Sequence, residues 1–307
     1  MNKFLISFLS LLPTLAFSQK ILGDPKAIVY AMDIQPENKL LVAISEKEKV
    51  ELWNYESQVL LKSWQLDSRG TSVAISNNTI VVTKTNGVVD IYDALTFEKK
   101  VSQKLTEHIP LLDVKVVSEQ IFFLVDTKGN VYTSDSTQLI FHKLFTTPEP
   151  VKLFDFVPAQ NAIVTFHSNG QAFLWSLSGT LLSKQQISKH SSLAIKGSAK
   201  ESKIYASLTS GKVMVYNANP TNFLGKISSF KVSQWAVSLD CDDDLVAIGT
   251  TGGLINIYTK MGIYKTRLSV IINSIQILPD RLPQIVLAVG THGGGIRIIP
   301  ALSMKLD

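Results

Sequence analysis

The chain has 307 residues, 45% of them hydrophobic and only 18% charged, a composition that excludes a disordered chain and can fill a large core. Its 30 Lys and Arg outweigh 25 Asp and Glu by a formal +5, but the excess is spread thinly. No block of like charges and no basic stripe interleaved with aromatics is present, so no nucleic-acid partner is expected.

The first element is "MNKFLISFLSLLPTLAFSQK". Lys3 precedes an uncharged, mainly apolar run over residues 4–17, and small residues stand at 16 and 18. That order of positive start, apolar stretch and small-residue exit is the pattern of a secretory signal peptide over residues 1–18, cleaved after Ser18. The apolar run is shorter than the roughly 20 residues a spanning helix needs, so no membrane span is expected after cleavage. Cys241 is the only cysteine, so no internal disulfide can form, and none stands at the cleavage point to carry a lipid. An exported chain without disulfides is expected in a periplasm, with secretion the second choice. Residues 19–307 are read as one domain.

From there a single unit recurs. Its anchor is a turn residue at Glu48, Gly87, Gly129, Gly170, Gly211, Gly253 and Gly294, followed by "KVELW", "VVDIY", "NVYTS", "QAFLW", "KVMVY", "LINIY" and "GIRII". The steps are 39, 42, 41, 41, 42 and 41 residues. Before each anchor lies a β-rich run such as "LLVAIS", "TIVVTK" or "AIVTFH", and before that another, such as "VYAMDI", "LLDVKV" or "LFDFVP". After it comes a more polar run, such as "QVLLKSWQL" or "KKVSQKL". Four strands in each of seven units of about 41 residues predict a seven-bladed β-propeller of antiparallel blades.

The anchor glycines are read as the positive-φ residues of two-residue hairpins, as in Asn86-Gly87 and Asn169-Gly170. The large residue five positions later, Trp53, Tyr92, Trp175, Tyr216, Tyr258 or Ile299, is expected to fill the space between blades. Only "SMKLD" remains after the last three strands, so residues 20–22 are expected to pair beside Arg297 and Ile298 as the missing outer strand; completion of that blade by residues 303–306 is the alternative.

The pattern resembles the WD40 family over essentially the whole mature chain. "LWNY", "IYDA" and "LWSL" stand where that family writes its Trp-Asp pair, with Asp93 the retained aspartate, while the Gly-His pair that opens its units is missing throughout. The chain is also similar to an exported WD40-like accessory protein of periplasmic nitrate-reductase clusters. The resemblance implies an all-β ring closed by N- and C-terminal segments, and an interaction or assembly role.

No catalytic elbow, haem-attachment motif or paired carboxylates appear, so the chain is read as no enzyme, without cofactor or metal. "LDCDDDLV", with Asp240, Asp242, Asp243 and Asp244, matches no calcium-loop spacing and is read as a polar turn. The expected function is an exported protein-interaction or assembly scaffold, monomeric, with another protein as partner. The loops entering the innermost strands and the hairpins between second and third strands should share one face, displaying Arg69, His108, His190, Lys231, Trp235 and His292. Trp235 is the foremost contact candidate. The alternative is a propeller enzyme or small-ligand receptor with its site at the central channel mouth; acidic or histidine side chains converging there would favour it, and a lining of Val, Ser and Ala would count against it.

Overall fold

A computed structural model describes residues 19–187, 191–242, 245–260, 262–281, 284–301 and 305–306. The expected signal segment and its cleavage point lie outside the described residues, as do His190, Asp243 and Asp244. Among the described residues no helix is long and apolar enough to cross a membrane.

The chain forms seven antiparallel four-stranded blades around a central channel, one of them extended by a short fifth strand. Blade 1 runs from the innermost strand Val29–Gln35 through Leu40–Ser45 and Lys49–Asn54 to the outermost, Val59–Gln65. Blades 2 to 6 repeat that order, and the innermost strands contact one another around the ring. This arrangement is consistent with a WD40-like propeller. The second strands Leu40–Ser45, Thr79–Lys84, Ala162–His167 and Val286–Thr291 are buried at every residue, because each face is covered by a neighbouring blade. That is why they read as continuous apolar runs without alternation. Between blades 1 and 2, Val42, Ile44 and Leu52 pack with Val73, Ile75 and Ile80. Each such side chain, fully removed from water, contributes about 1.5–3 kcal/mol. Among the described residues the outermost strand of blade 1 has no strand paired on its far side, and it exposes Val59, Leu60 and Leu61.

The expected inter-blade fillers take their places. Trp53, Tyr92, Trp175, Tyr216 and Ile299 are buried, and Tyr258 is half-buried against Phe230. The turn geometry differs from the expected two-residue hairpin. Asn86, Lys128 and Asn169 do not take positive φ; Gly87, Gly129 and Gly170 do, and each glycine N–H donates to the carbonyl three residues back, Lys84, Asp126 and His167. The turn is therefore a four-residue one with glycine last, and only that position demands a left-handed backbone. Blade 1, lacking the glycine, puts both Lys47 and Glu48 at positive φ. In blade 7 the anchor is Gly295, not Gly294. Gly293 and Gly295 take positive φ, and the extra residue lets the Gly295 N–H reach the Ala27 carbonyl at 3.0 Å.

That glycine turn belongs to the closure of the ring. Lys20–Leu22 pairs antiparallel with Ile296–Pro300, in the register Lys20 to Ile298, Ile21 to Arg297 and Leu22 to Ile296, and is the outermost strand of blade 7. Leu22 is buried by the pairing. The C-terminal strand Lys305–Leu306 does not complete blade 7. It adds to the edge of Gly262–Arg267 in blade 6, opposite Tyr264 and Lys265.

Candidate functional site

All seven innermost strands begin with the same irregularity. The register with the second strand shifts between Val29 and Ala31, Gly70 and Ser72, Leu111 and Asp113, Val151 and Leu153, Ser192 and Ala194, Ala236 and Ser238, and Ile272 and Ser274. A bulge re-aims the extra side chain. Here Tyr30, Thr71, Leu112, Lys152, Leu193, Val237 and Asn273 become a ring lining the upper channel, around a cavity of about 320 Å³.

Below it, the fifth residue of each inner strand forms a second ring: Asp33, Ala74, Lys115, Asp155, Lys196, Asp240 and Gln276. Three of its carboxylates reach to the next blade. Ile75 N–H donates to Asp33 at 2.8 Å, Gly197 N–H to Asp155 at 2.6 Å and Ile277 N–H to Asp240 at 2.7 Å. Lys196 lies 3.0 Å from Asp240, and Lys115 lies 3.0 Å from Asp113 and 4.0 Å from Asp155. Burial in the lumen works against the Lys115 charge, but Asp113 and Asp155 outweigh it and hold its ammonium above the usual lysine range. Asp240 does the same for Lys196. Asp33 has Ala74 and Gln276 as ring neighbours and no adjacent cation; burial raises its carboxyl to about 6 against the hydrogen bonds that favour its charge.

Asp240 therefore is no turn residue. It sits inside the innermost strand Ala236–Asp242, reaching to the next blade, because that strand runs two residues further than a polar-turn reading of "CDDD" allows. The ring was legible only as scattered charges in mainly apolar first strands, a signal whose meaning depends on the strands meeting around one axis. Among the described residues no group of three or more His, Cys, Asp or Glu is placed to hold a metal.

At the rim, the residue preceding the inner strand is fixed by a backbone bond from the hairpin of its own blade: Glu46 N–H to Ile28 O at 2.8 Å, Thr85 to Arg69 at 2.9 Å, Thr251 to Trp235 at 3.0 Å and His292 to Ile271 at 2.9 Å; in blade 4 the His167 ring takes that place on Pro150. Trp235, Ile271, Ile28 and Arg69 thus occupy equivalent rim positions on consecutive blades. Trp235 is 54% exposed, so it does not pack within its blade. Arg69 and His292 share a mouth pocket of about 550 Å³ with Tyr30 and Asn273. His108 is exposed at positive φ in the loop entering blade 3, outside that pocket, and Lys231 ends the outermost strand Lys226–Lys231 away from the channel. His190 lies outside the described residues.

No family model matches the chain, and no curated protein does.

Proposed function

We propose that this protein is an exported interaction scaffold that presents the rim of its channel to another protein. The observation that carries the reading is Trp235, a large aromatic more than half exposed and held by its backbone beside the exposed Ile271. Exposed tryptophans fixed on a rigid frame are favoured as contact anchors, since little side-chain freedom remains to be lost on binding. Export to a periplasm is supported by the N-terminal pattern, and a role as accessory factor of a respiratory metalloenzyme such as nitrate reductase is supported by resemblance alone. The test is affinity capture from periplasmic extract with tagged chain 19–307. A single stoichiometric partner is expected, with capture weakened about thirtyfold by Trp235→Ala, the loss of an anchor worth about 2 kcal/mol. Absence of any stoichiometric protein would remove the reading, and N-terminal sequencing that finds Met1 retained would remove export.

A second reading, a small-ligand receptor at the channel, is favoured by the charged lumen, since Asp33, Asp113, Lys115, Asp155 and Lys196 stand there among Ala and Ser. Much of that charge is engaged between blades, so its first effect is to brace the ring.

A further inference from the structure

Resting on the scaffold reading, we infer that the mouth pocket seats an acidic side chain of the partner protein, with its carboxylate on Arg69. The pocket spans blades 7, 1, 2 and 3, and no Asp or Glu lines it. Its charge comes from Arg69, whose guanidinium carbon stands 4.6 Å over the centre of the Tyr30 ring. Contact with the ring restricts the guanidinium and leaves N–H groups for a ligand, and its fork of donors matches two carboxylate oxygens. Among the described residues Arg69 makes no ion pair and its side chain makes no hydrogen bond, whereas the lumen cations Lys115 and Lys196 are each held by aspartates and Lys152 by Ser191.

The remaining walls define what surrounds the acid. Tyr30 is itself the bulged residue of its strand, so its ring is held at the mouth by backbone geometry. His292 is tied through its backbone to Ile28 and Ile271, which keeps its exposed imidazole on the rim as a further donor. Leu112 lines the pocket, and the exposed Ile271 on blade 7 and Trp235 on blade 6 continue the rim. A partner segment with an acidic residue flanked by apolar ones matches this order of charge and apolar surface. A basic segment does not, because it would meet Arg69 with no carboxylate in the pocket.

The test uses folded chain 19–307 and an N-acetylated, amidated leucine-glutamate-leucine tripeptide, with its glutamine counterpart as the neutral control. Binding is followed by nitrogen-15 NMR at the Arg69 Nε–H and the Trp235 indole. The glutamate peptide is expected to bind at least about tenfold more tightly, the ratio one charge-assisted hydrogen bond gives. Arg69→Gln should abolish the preference, while Lys62→Gln, on the exposed outer strand of blade 1, should keep it. Arg69 is exposed, and an unchanged melting transition shows that its variant folds. Equal binding of the two peptides, no binding of either at millimolar concentration, or an intact preference in Arg69→Gln overturns the assignment. Capture of a protein partner without any peptide preference would sink the acidic pocket and leave the scaffold standing; a peptide preference without any captured protein would keep the pocket and remove the scaffold.

Discussion

Blades 2 and 4 solve one structural problem with different chemistry. In each, the last residue of the second strand must anchor the hairpin to the loop entering the same blade. Blade 2 uses Lys84, fully buried, with its ammonium 2.6 Å from Asp67 and 2.8 Å from Asp90. Asp90 also receives Lys99 at 3.0 Å and the Ser102 hydroxyl at 2.6 Å. Blade 4 uses His167. Its Nδ1–H donates to the Pro150 carbonyl at 3.0 Å, so Nε2 accepts from the Thr165 hydroxyl at 2.9 Å, and Thr165 Oγ1 accepts the Trp175 indole N–H at 3.0 Å. Burial holds His167 below the usual histidine range, which keeps this network neutral. The backbone requirement is common to all blades, while the side chains meeting it are free to be ionic or neutral if every buried group is satisfied.

Breaking the ionic solution should cost most. Lys84→Met leaves the Asp90 carboxylate buried with one partner fewer and should lower stability by about 3–5 kcal/mol in chemical denaturation. Adding Asp90→Leu should restore much of the loss, since two apolar groups need no compensation. Failure of the double variant to recover would mean that the ion pair positions the hairpin in a way packing cannot replace.

The shared backbone element comes next. Gly87 and Gly170 have φ of 82° and 79°, and a Cβ on Gly87 would lie 2.5 Å from the Thr106 carbonyl oxygen. Valine at either should cost at least about 1–2 kcal/mol, more at Gly87, whereas Thr85→Val should leave the melting temperature nearly unchanged. Equal effects at 85 and 87 would break the claim that only the glycine position is demanding.

Thr165→Val sharpens the neutral side of the comparison. It strands the Trp175 N–H and the His167 Nε2 together and should cost about 1–3 kcal/mol, with no change in salt dependence. The smallest effects separate by pH. The folded state holds His167 below its unfolded pKa, so its support is lost as pH falls through about 6.5, when the unfolded chain takes the proton first. Asp90 is held low by Lys84, Ser102 and Lys99 against its burial, so blade 2 keeps its support until pH falls below about 4. Asp33 acts the other way: raised to about 6, it favours the folded state as pH falls from 7 toward 4, because the folded state then binds the extra proton. His167→Gln should flatten a stability loss between pH 7 and 5, and Asp33→Asn should remove a gain over the same range. Parallel pH profiles for the two variants would break the assignment of opposite signs.

The repeat by itself determined the ring. Steps of 39 to 42 residues, buried second strands without alternation and a closing segment at residues 20–22 were all readable, because each follows from local backbone preference and from which faces a strand must bury. Trp235, Arg69 and His292 were also placed on one face by their position between strands. What sequence could not supply was distance around the axis. That Arg69 lies over Tyr30 from the preceding blade, that His292 joins them from the blade before, that His108 and Lys231 stand apart, and that Asp240 braces Ile277 depends on seven bulges turning side chains toward one channel. These partners are about 40 or more than 200 residues apart, so only the packing of the blades around one axis brings them together. The extra glycine of the last hairpin and the docking of the C-terminal strand on blade 6 were likewise decided by closure of the ring, where packing between chain ends, not local propensity, chose the register.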